Sequence, residues 1–233
     1  MGYSSTNKRA TPTSFSAANT CPVQVQYITN IPKIHEAQKV EQHYFEEINP
    51  DITYEQILSL KELNHALKNG LLSLYTEIFA EPPHYEKFTD ESVISLFEYY
   101  HRTGRVFLAK KEREIVGFAT SVPLSDKPDI INLAKCFIEN VHNYWYIAEI
   151  GVKKSCRRQG IAKHLTIKEM LHIPSGAALL VRMIETNMPS IKLHEFLGFA
   201  EVPNMKQTMK HERICENIPE TDTRIFLEFK KQR

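Results

Sequence analysis

The sequence predicts an α/β fold in which helices flank a mixed β-sheet, and three observations support this prediction. Apolar, β-branched segments alternate along the chain with segments of helical periodicity. One strand, at 146–152, leads through a basic turn into a helix that begins at Gly160. A second apolar strand, at 177–184, follows that helix, so the sheet needs one parallel pair around the central strand.

The composition indicates a globular chain without a polyanionic partner. The 233 residues are 42% hydrophobic and 24% charged, with a formal net charge of +1, which favours neither nucleic-acid binding nor attachment to a membrane surface. No apolar run has the length of a bilayer span. The four cysteines lack CxxC spacing and the ten histidines lack HExxH spacing. We therefore expect reduced thiols, a cytoplasmic location and no metal site.

The chain divides into three predicted parts. Residues 1–20 are rich in Ser, Thr, Asn and Ala and are predicted to be a disordered tail. Residues 21–50 form an extension of unknown role, with a short strand at 23–28 and a helix at 33–48. Residues 51–233 form the main domain.

The main domain begins with a strand at 52–57 and a helix at 63–79 whose apolar residues recur at helical spacing. A loop containing two prolines separates this helix from a second one at 90–101. Thr89 is a suitable N-cap for the second helix, and the acidic residues that follow suit its first turn.

The rest of the domain alternates between strands and helices. Residues 105–110 and 114–122 form a hairpin across a charged turn, and an irregular connection with a short helix near 133–138 follows. Beyond the central strand–helix unit, a further helix ends at Gly198, which suits a left-handed C-cap. A last strand at 223–229 is predicted to pair antiparallel with another strand.

The turn between the central strand and its helix has the chemistry of an anion site. A helix start offers unpaired backbone N–H groups and the positive end of the helix dipole. Gly160 has no Cβ, so an anion can approach the backbone closely, and Arg157 and Arg158 add positive charge. The arrangement fits a pyrophosphate, although a basic turn before an ordinary helix has the same residues.

Two motifs resemble those of the GCN5-related N-acetyltransferases (GNATs). Arg157-x-x-Gly160-x-Ala162 resembles the pyrophosphate signature of that family, which reads Gln/Arg, two residues, Gly, one residue, Gly/Ala. The segment 187–199 resembles the later family motif, with an Asn, a small residue, a short helix and Gly-Phe, in the expected order and at the expected separation. The resemblance implies the GNAT fold, a largely antiparallel sheet that is splayed between its central strands.

The resemblance also implies acetyl-CoA as the acyl donor and a primary amine of a small molecule or peptide as the acceptor. The residues expected to bind the donor are Ile150, Gly151, Val152, Arg157, Arg158, Gln159, Gly160, Ile161, Ala162 and Asn187. In the family a strand N–H near a bulge holds the developing oxyanion. That N–H falls here at Val152, and Gly151 would allow the bulge.

Two residues are expected to move protons. Glu149, two residues before Gly151 on the central strand, is the expected base and would take the amine proton through a water. The alternatives are a salt-bridge role for Glu149, or loss of the proton to bulk water. His194 lies where the family usually has a Tyr that protonates the leaving thiolate. An imidazolium can donate that proton, but a packing role for His194 is also open.

The acceptor side is less defined by the sequence. In the family the first two helices and their loop cover the acceptor, which makes Tyr85 and Glu86 candidate acceptor contacts, and a plain surface loop is the alternative. Two other functions stay open: a CoA-binding module that has lost catalysis, and an acyltransferase that uses a longer acyl chain. The sequence also leaves open whether the chain forms a homodimer.

Overall fold

The structure is a computed structural model that describes residues 49–230. The predicted tail at 1–20, the strand at 23–28 and the helix at 33–48 lie outside this range. No helix within the range has the length and apolar character needed to cross a membrane.

Strands and helices alternate along the described chain. The strands are β1 (Ile52–Gln56), β2 (Arg105–Lys111), β3 (Glu114–Pro123), β4 (Tyr144–Val152), β5 (Ala178–Ile184), β6 (Ala200–Lys210) and β7 (Thr221–Lys230). The α-helices are α1 (Leu60–Ala66), α2 (Leu72–Ala80), α3 (Asp90–Thr103), α4 (Pro128–Ala134), α5 (Ile161–His172) and α6 (Met188–Phe196).

Within residues 49–230 the strands form one seven-stranded sheet in the order β1-β2-β3-β4-β5-β7-β6. The pair β4–β5 is parallel and every other neighbouring pair is antiparallel. This confirms the predicted mixed, largely antiparallel α/β sheet. The parallel pair follows from the connection through α5, because parallel neighbours need a crossover.

The two central strands pair over only part of their length. β4 and β5 are paired from Tyr144 with Ala178 to Ile147 with Val181, and the last five residues of β4 have no partner on β5. The sheet is therefore open between the carboxyl ends of two parallel strands, which is where ligands commonly bind in α/β sheets.

The helices cover both faces of the sheet. α2, α3 and α4 pack on one face around a large cluster that contains Tyr75, Phe97 and Phe118. Ile161 and Leu165 of α5 pack on the opposite face. The α6 helix packs on that opposite face through a third cluster. We call the first face the α2–α3 face.

The predicted first helix differs from the observed one. It begins earlier than expected, after Ser59, which forms a capping box with Glu62. It is also interrupted by a π-helical turn at Leu67–Leu71, where Gly70 has φ +117°. Such a backbone angle is available to Gly but rarely to other residues.

Two further segments differ from the sequence prediction. The short helix in the connection before β4 begins at Pro128, which suits its first turn, and it ends at Ala134 rather than lying near 133–138. β6 was not predicted. It contains Pro203, and its pairing with β7 shifts register between Glu201 and Lys206, which removes the regular alternation that identifies a strand.

Candidate active site

The unpaired end of β4 directs backbone N–H groups into the gap between the central strands. The Lys153 N–H donates to the Val116 carbonyl of β3 at 2.8 Å. Because successive residues of a strand alternate between its two edges, the N–H groups of Val152 and Ile150 face the gap. The gap therefore presents an edge that a ligand with amide groups can join as an added strand.

The α5 helix begins beside this edge. Gly160 has φ +77° and provides no side-chain cap for the first N–H groups of α5. A Cβ placed on Gly160 would be in ordinary van der Waals contact with the His164 ring at 3.6 Å and would clash with nothing, so it is the positive φ that favours Gly here. The side chain of Ile161 is buried in the core and Ala162 is partly buried. The N–H groups of these two residues belong to the first turn of α5 and have no acceptor within the helix.

The side chains of the turn take structural partners. Arg157 donates from Nε to the Val152 carbonyl at 3.1 Å, and its Nη2 lies 2.9 Å from Oε2 of Glu81. Gln159 accepts a hydrogen bond from Asn49 at 3.3 Å. Arg158 is exposed and has φ +66°. The Arg157 side chain thus ties the turn to the end of α2, and Arg158 supplies exposed positive charge.

Asn187 lies at the start of α6, directly after β5. Its side chain accepts from the Ser190 N–H at 3.4 Å and acts as the N-cap of the helix. The carboxyl ends of two neighbouring parallel strands meet at one edge of the sheet. Asn187 is therefore at the same end of the gap as the Gly160 turn.

A β-bulge in β4 sets the direction of Glu149. Thr120 of β3 pairs with Glu149 and Ser121 pairs with Ile147, so Ala148 is the extra residue. The bulge reverses the alternation of the strand and places Glu149 on the same face as Tyr146, the α2–α3 face. The expected bulge at Gly151 is not found, because pairing is regular from Gly117–Val152 to Thr120–Glu149.

Gly151 has a packing role instead. A Cβ at this position would lie 2.6 Å from the Phe118 ring and 2.9 Å from Cδ1 of Ile78. The backbone of β4 thus approaches the core more closely than any residue with a side chain would allow.

Glu149 has the environment of a proton acceptor that works near neutral pH. The hydroxyl of Tyr100 donates to its Oε1 at 3.1 Å. Burial, followed by the negative charge of Glu86, raises the pKa of Glu149 to about 7, although the Tyr100 hydrogen bond and the charge of Arg182 lower it. Tyr75 lies beside the same carboxylate. Burial, and then the negative charge of Glu149, raise the pKa of Tyr75.

Glu86 is held in a network of charged residues. Its Oε1 lies 2.8 Å from Nη2 of Arg224 and 3.3 Å from Nδ1 of His211. Asp222 contacts both Arg224 and Arg213. Burial alone would raise the pKa of Glu86, but the neighbouring His211, His84 and Arg224 keep that pKa well below its usual value.

This network fixes the loop between α2 and α3, which contains His84, Tyr85 and Glu86, to the segment between β6 and β7. The Tyr85 carbonyl accepts from the Ile214 N–H at 2.9 Å, and the Arg213 side chain donates to the His84 carbonyl. Glu86, His211 and Asp222 also have the ligand types of a metal site. Two guanidinium groups already lie among these carboxylates, however, and supply the positive charge that a cation would bring.

His194 lies inside the protein. It is 1% exposed, its Nδ1 is 2.8 Å from the Ser190 carbonyl, and its ring packs edge-on against Phe199. Because a carbonyl only accepts, Nδ1 carries the proton and Nε2 is an acceptor in the neutral ring. Nε2 is buried without a hydrogen-bond partner among residues 49–230. Burial lowers the pKa of His194, against the raising effect of the Ser190 bond.

The site therefore brings Glu149 together with residues that the sequence analysis did not select, chiefly Tyr100 and Arg182. Arg182 could have been selected from the sequence, because it is the charged residue of the otherwise apolar β5, where it is half-buried. Tyr100 gave no signal, because its hydroxyl meets Glu149 only after α3 packs on the sheet.

The described residues fit the groups of acetyl-CoA. The free edge of β4 matches the amides of a pantetheine arm. The uncapped N-terminus of α5, the lack of a side chain at Gly160 and the exposed Arg158 match a pyrophosphate.

Comparisons with known proteins identify the family. The model of the acetyltransferase (GNAT) family matches residues 69–199, more than half of the chain. The match covers β4, the Gly160 turn and His194, and it defines the class of protein as a transferase that uses acyl-CoA. The chain belongs to the GNAT acetyltransferase family, whose members bind an acyl-CoA and an acceptor. No curated protein matches the sequence.

Solved structures share the fold at low sequence identity. An N-acetyltransferase from Staphylococcus aureus Mu50 has a TM-score of 0.52 and 19% identity, over 77% of this chain and 99% of that chain. The ribosomal-protein-alanine N-acetyltransferase from Brucella melitensis has a TM-score of 0.54 and 17% identity, over 76% and 99%. The ribosomal-protein-S18-alanine N-acetyltransferase from Escherichia coli has a TM-score of 0.50 and 14% identity, over 78% and 95%. These similarities concern the fold alone.

Proposed function

We propose that the protein transfers an acetyl group from acetyl-CoA to a primary amine of a small molecule or peptide by direct attack of the amine. The observation that carries this proposal is Glu149, a carboxylate with a pKa of about 7 at the opening between β4 and β5. A base whose pKa lies near the working pH combines a useful fraction of the ionised form with a good driving force for proton transfer.

The residues around the gap have separate tasks in this proposal. The N–H groups at the start of α5 bind the pyrophosphate, with charge from Arg158 and orientation of the turn by Arg157. The N–H of Ile150 aligns the pantetheine arm, and Asn187 contacts the same arm from the start of α6. Acetyl-CoA supplies the activated acyl group, and the Val152 N–H faces the position where its carbonyl oxygen gains charge.

Proton transfer is assigned to two residues. Glu149 takes the proton of the acceptor ammonium through a water, so that a neutral amine attacks. His194 donates a proton to the leaving thiolate, and only its imidazolium form can do so, because Nε2 is an acceptor in the neutral ring. Tyr85 and Glu86 shape the acceptor side. Glu86 acts there through its charge, since its carboxylate is already bonded to Arg224 and His211.

The experiment combines donor binding with transfer. Acetyl-CoA binding is measured by calorimetry, and acetyl transfer to a panel of amines is followed through the free thiol released. Gly160→Glu should abolish binding, because a carboxylate would occupy the phosphate position. Ser95→Glu adds the same charge on the exposed face of α3 and is the matched control. Undiminished binding by Gly160→Glu would refute the donor site.

A second candidate function is a CoA-binding module without catalysis. The observation that favours it is the burial of His194 at the position of the usual acid, because this burial lowers the pKa of His194. Acetyl-CoA binding without thiol release on any amine of the panel would establish this second function. A third outcome is faster transfer from a longer acyl-CoA than from acetyl-CoA. It would show that the preferred donor is the longer acyl-CoA.

A further inference from the structure

Two cations lie beside Glu149 on the α2–α3 face. Arg182 lies one residue beyond the last β4–β5 pair, and Lys127 is the residue before α4. The Lys127 Nζ is 5.9 Å from the centre of the Tyr146 ring. The charges of Arg182 and Lys127 both lower the pKa of Glu149.

The position of Arg182 follows from the strand pairing. Leu180 pairs with Tyr146 across β4 and β5, and side chains two residues apart on a strand share a face. Arg182 therefore shares the face of Tyr146 and Glu149. It is also the first position of β5 at which the facing strand has separated, so its side chain borders the opening rather than a packed strand pair.

Arg182 uses only part of its hydrogen-bonding capacity. Its Nη1 donates to Oε1 of Gln207 at 2.7 Å and to the Met209 sulfur at 3.4 Å, and lies 3.6 Å from the half-exposed Asp129 carboxylate. Its Nε and Nη2 bond to none of the residues that the structure describes. These contacts fix one side of the guanidinium and leave the other donors for a ligand, in the fork geometry that binds carboxylates and phosphates.

Two carboxylates other than Glu149 bear on these cations. Asp129 lies 3.6 Å from Nη1 of Arg182 but is half-exposed, so solvent weakens this ion pair. Glu86 is paired with Arg224 and His211. An acceptor that carried only an ammonium would meet Glu149 and, close to it, two positive charges that repel it. An acceptor with a separate anionic group would satisfy both sides of the site.

From this juxtaposition we infer that the acceptor is a small amine that also carries an anionic oxygen group, as an amino acid does. The ammonium lies beside Glu149 and the anionic group lies between Arg182 and Lys127. This inference rests on the proposed function, since it describes the acceptor of the same transfer.

The test compares matched pairs of acceptors. Each pair has the same amine with and without its anionic group: phenylalanine with phenethylamine, lysine with cadaverine, and phosphoethanolamine with ethanolamine. The wild-type protein should prefer the anionic member in kcat/KM. The first two pairs report a carboxylate and the third a phosphate, so the pair with the largest ratio identifies the anionic group.

Two variants separate recognition from folding. Arg182→Gln should lower the ratio of kcat/KM between the anionic and non-anionic members by ~10- to 100-fold, the usual weight of a charged hydrogen bond, mainly through KM. Arg182→Lys keeps the positive charge but lacks the forked guanidinium. Its ratio of kcat/KM should lie between those of the wild type and Arg182→Gln. Arg113→Gln, in the exposed β2–β3 turn, is the control and should keep the wild-type ratio. Thermal unfolding shows whether the contacts of Arg182 with β6 also support the fold.

The outcomes are distinguishable. A wild-type preference for the non-anionic amines, or an equal loss on both members in Arg182→Gln, would overturn the inference and leave the acetyl transfer standing. Absence of transfer to every amine would overturn the proposed function and the inference with it.

Discussion

Glu149 is the residue on which the proposed chemistry depends. Its pKa of about 7 is raised by burial and by Glu86, so the ionised form that accepts a proton develops as the pH passes through neutrality. We expect kcat/KM of the wild type to rise with pH through the acidic range and, because His194 must be protonated at the same time, to fall again above about pH 7. Glu149→Gln should lower kcat/KM by ~10²- to 10⁴-fold and remove this acidic limb.

The control for this prediction is Glu98→Gln, which changes an exposed carboxylate on α3. It should keep both the rate and the pH profile. An acidic limb that persists in Glu149→Gln would show that another group titrates, and a loss smaller than tenfold would mean that the ammonium loses its proton to bulk water.

The second prediction at the residue scale concerns the protonation of His194. Transfer requires Glu149 ionised and His194 protonated at once, yet burial raises the first pKa and lowers the second. Only a minority of molecules near neutral pH holds both forms. A phenol stays protonated to a pH of about 10, so His194→Tyr should raise kcat at neutral pH. His194→Phe should lower it by about tenfold or more.

Circular dichroism and thermal unfolding of both variants check that the buried position accepts the larger rings. If kcat of His194→Phe stays within tenfold of the wild type and His194→Tyr gives no gain, His194 takes no part in proton transfer.

The candidate site could be predicted only where its residues adjoin a sequence motif. Glu149 and Gly160 lie on one strand–turn–helix unit, so their relation is local and readable. Tyr100 and Arg182 reach Glu149 only through the packing of α3 and the pairing of β5, and no spacing along the chain encodes such a meeting. Their positions therefore required the folded structure.

At the scale of elements, two features of β4 position the site. The bulge at Ala148 sets the face on which Glu149 lies, and Gly151 lets the backbone approach the core closely. Gly151→Ala would place a Cβ 2.6 Å from the Phe118 ring, and such overpacking costs ~1–3 kcal/mol of unfolding free energy. Denaturant titration should show a loss of this size. In a Phe118→Leu background the loss should shrink, because the contacting ring atoms are removed, and this coupling is measured by a double-mutant cycle.

Gly70→Ala is the comparison for this prediction. Its Cβ would meet nothing within 4 Å, so its cost reflects only the φ of +117°. An unchanged loss from Gly151→Ala in the Phe118→Leu background would attribute that loss to the backbone of β4 rather than to the ring.

Regular elements were predictable where their pattern is regular. The strands β3, β4 and β5 are apolar runs, and each was predicted within a few residues of its observed bounds. β6 has a largely exposed, polar sequence with a register shift, and only its pairing with β7 makes it a strand. The break in the first helix at Gly70 likewise depends on packing, since an isolated Gly in a helical pattern is usually tolerated.

At the scale of the whole molecule, a buried acid links stability to pH. Glu169 of α5 is fully buried and accepts a hydrogen bond from Ser121 of β3. Arg105 lies near it, stacked on Trp145 at 4.1 Å. Burial raises the pKa of Glu169 to about 8, although the Ser121 bond and the charge of Arg105 lower it. The folded protein therefore holds a proton that the unfolded chain releases at its ordinary pKa of 4.5.

Because the pKa of Glu169 is higher in the folded protein than in the unfolded chain, its contribution to the free energy of unfolding decreases as the pH rises. The contribution of Glu169 is fully present below pH 4.5 and is lost as the pH rises towards 8, by ~1.4 kcal/mol per pH unit. Glu169→Gln keeps an acceptor for Ser121 and cannot ionise. The difference in unfolding free energy between wild type and Glu169→Gln should therefore shift by this slope between pH 5 and pH 8 in urea titrations, to the advantage of the variant at high pH. Glu98→Gln should run parallel to the wild type, and a Glu169→Gln curve that also ran parallel would mean that Glu169 is ionised in the folded protein at neutral pH.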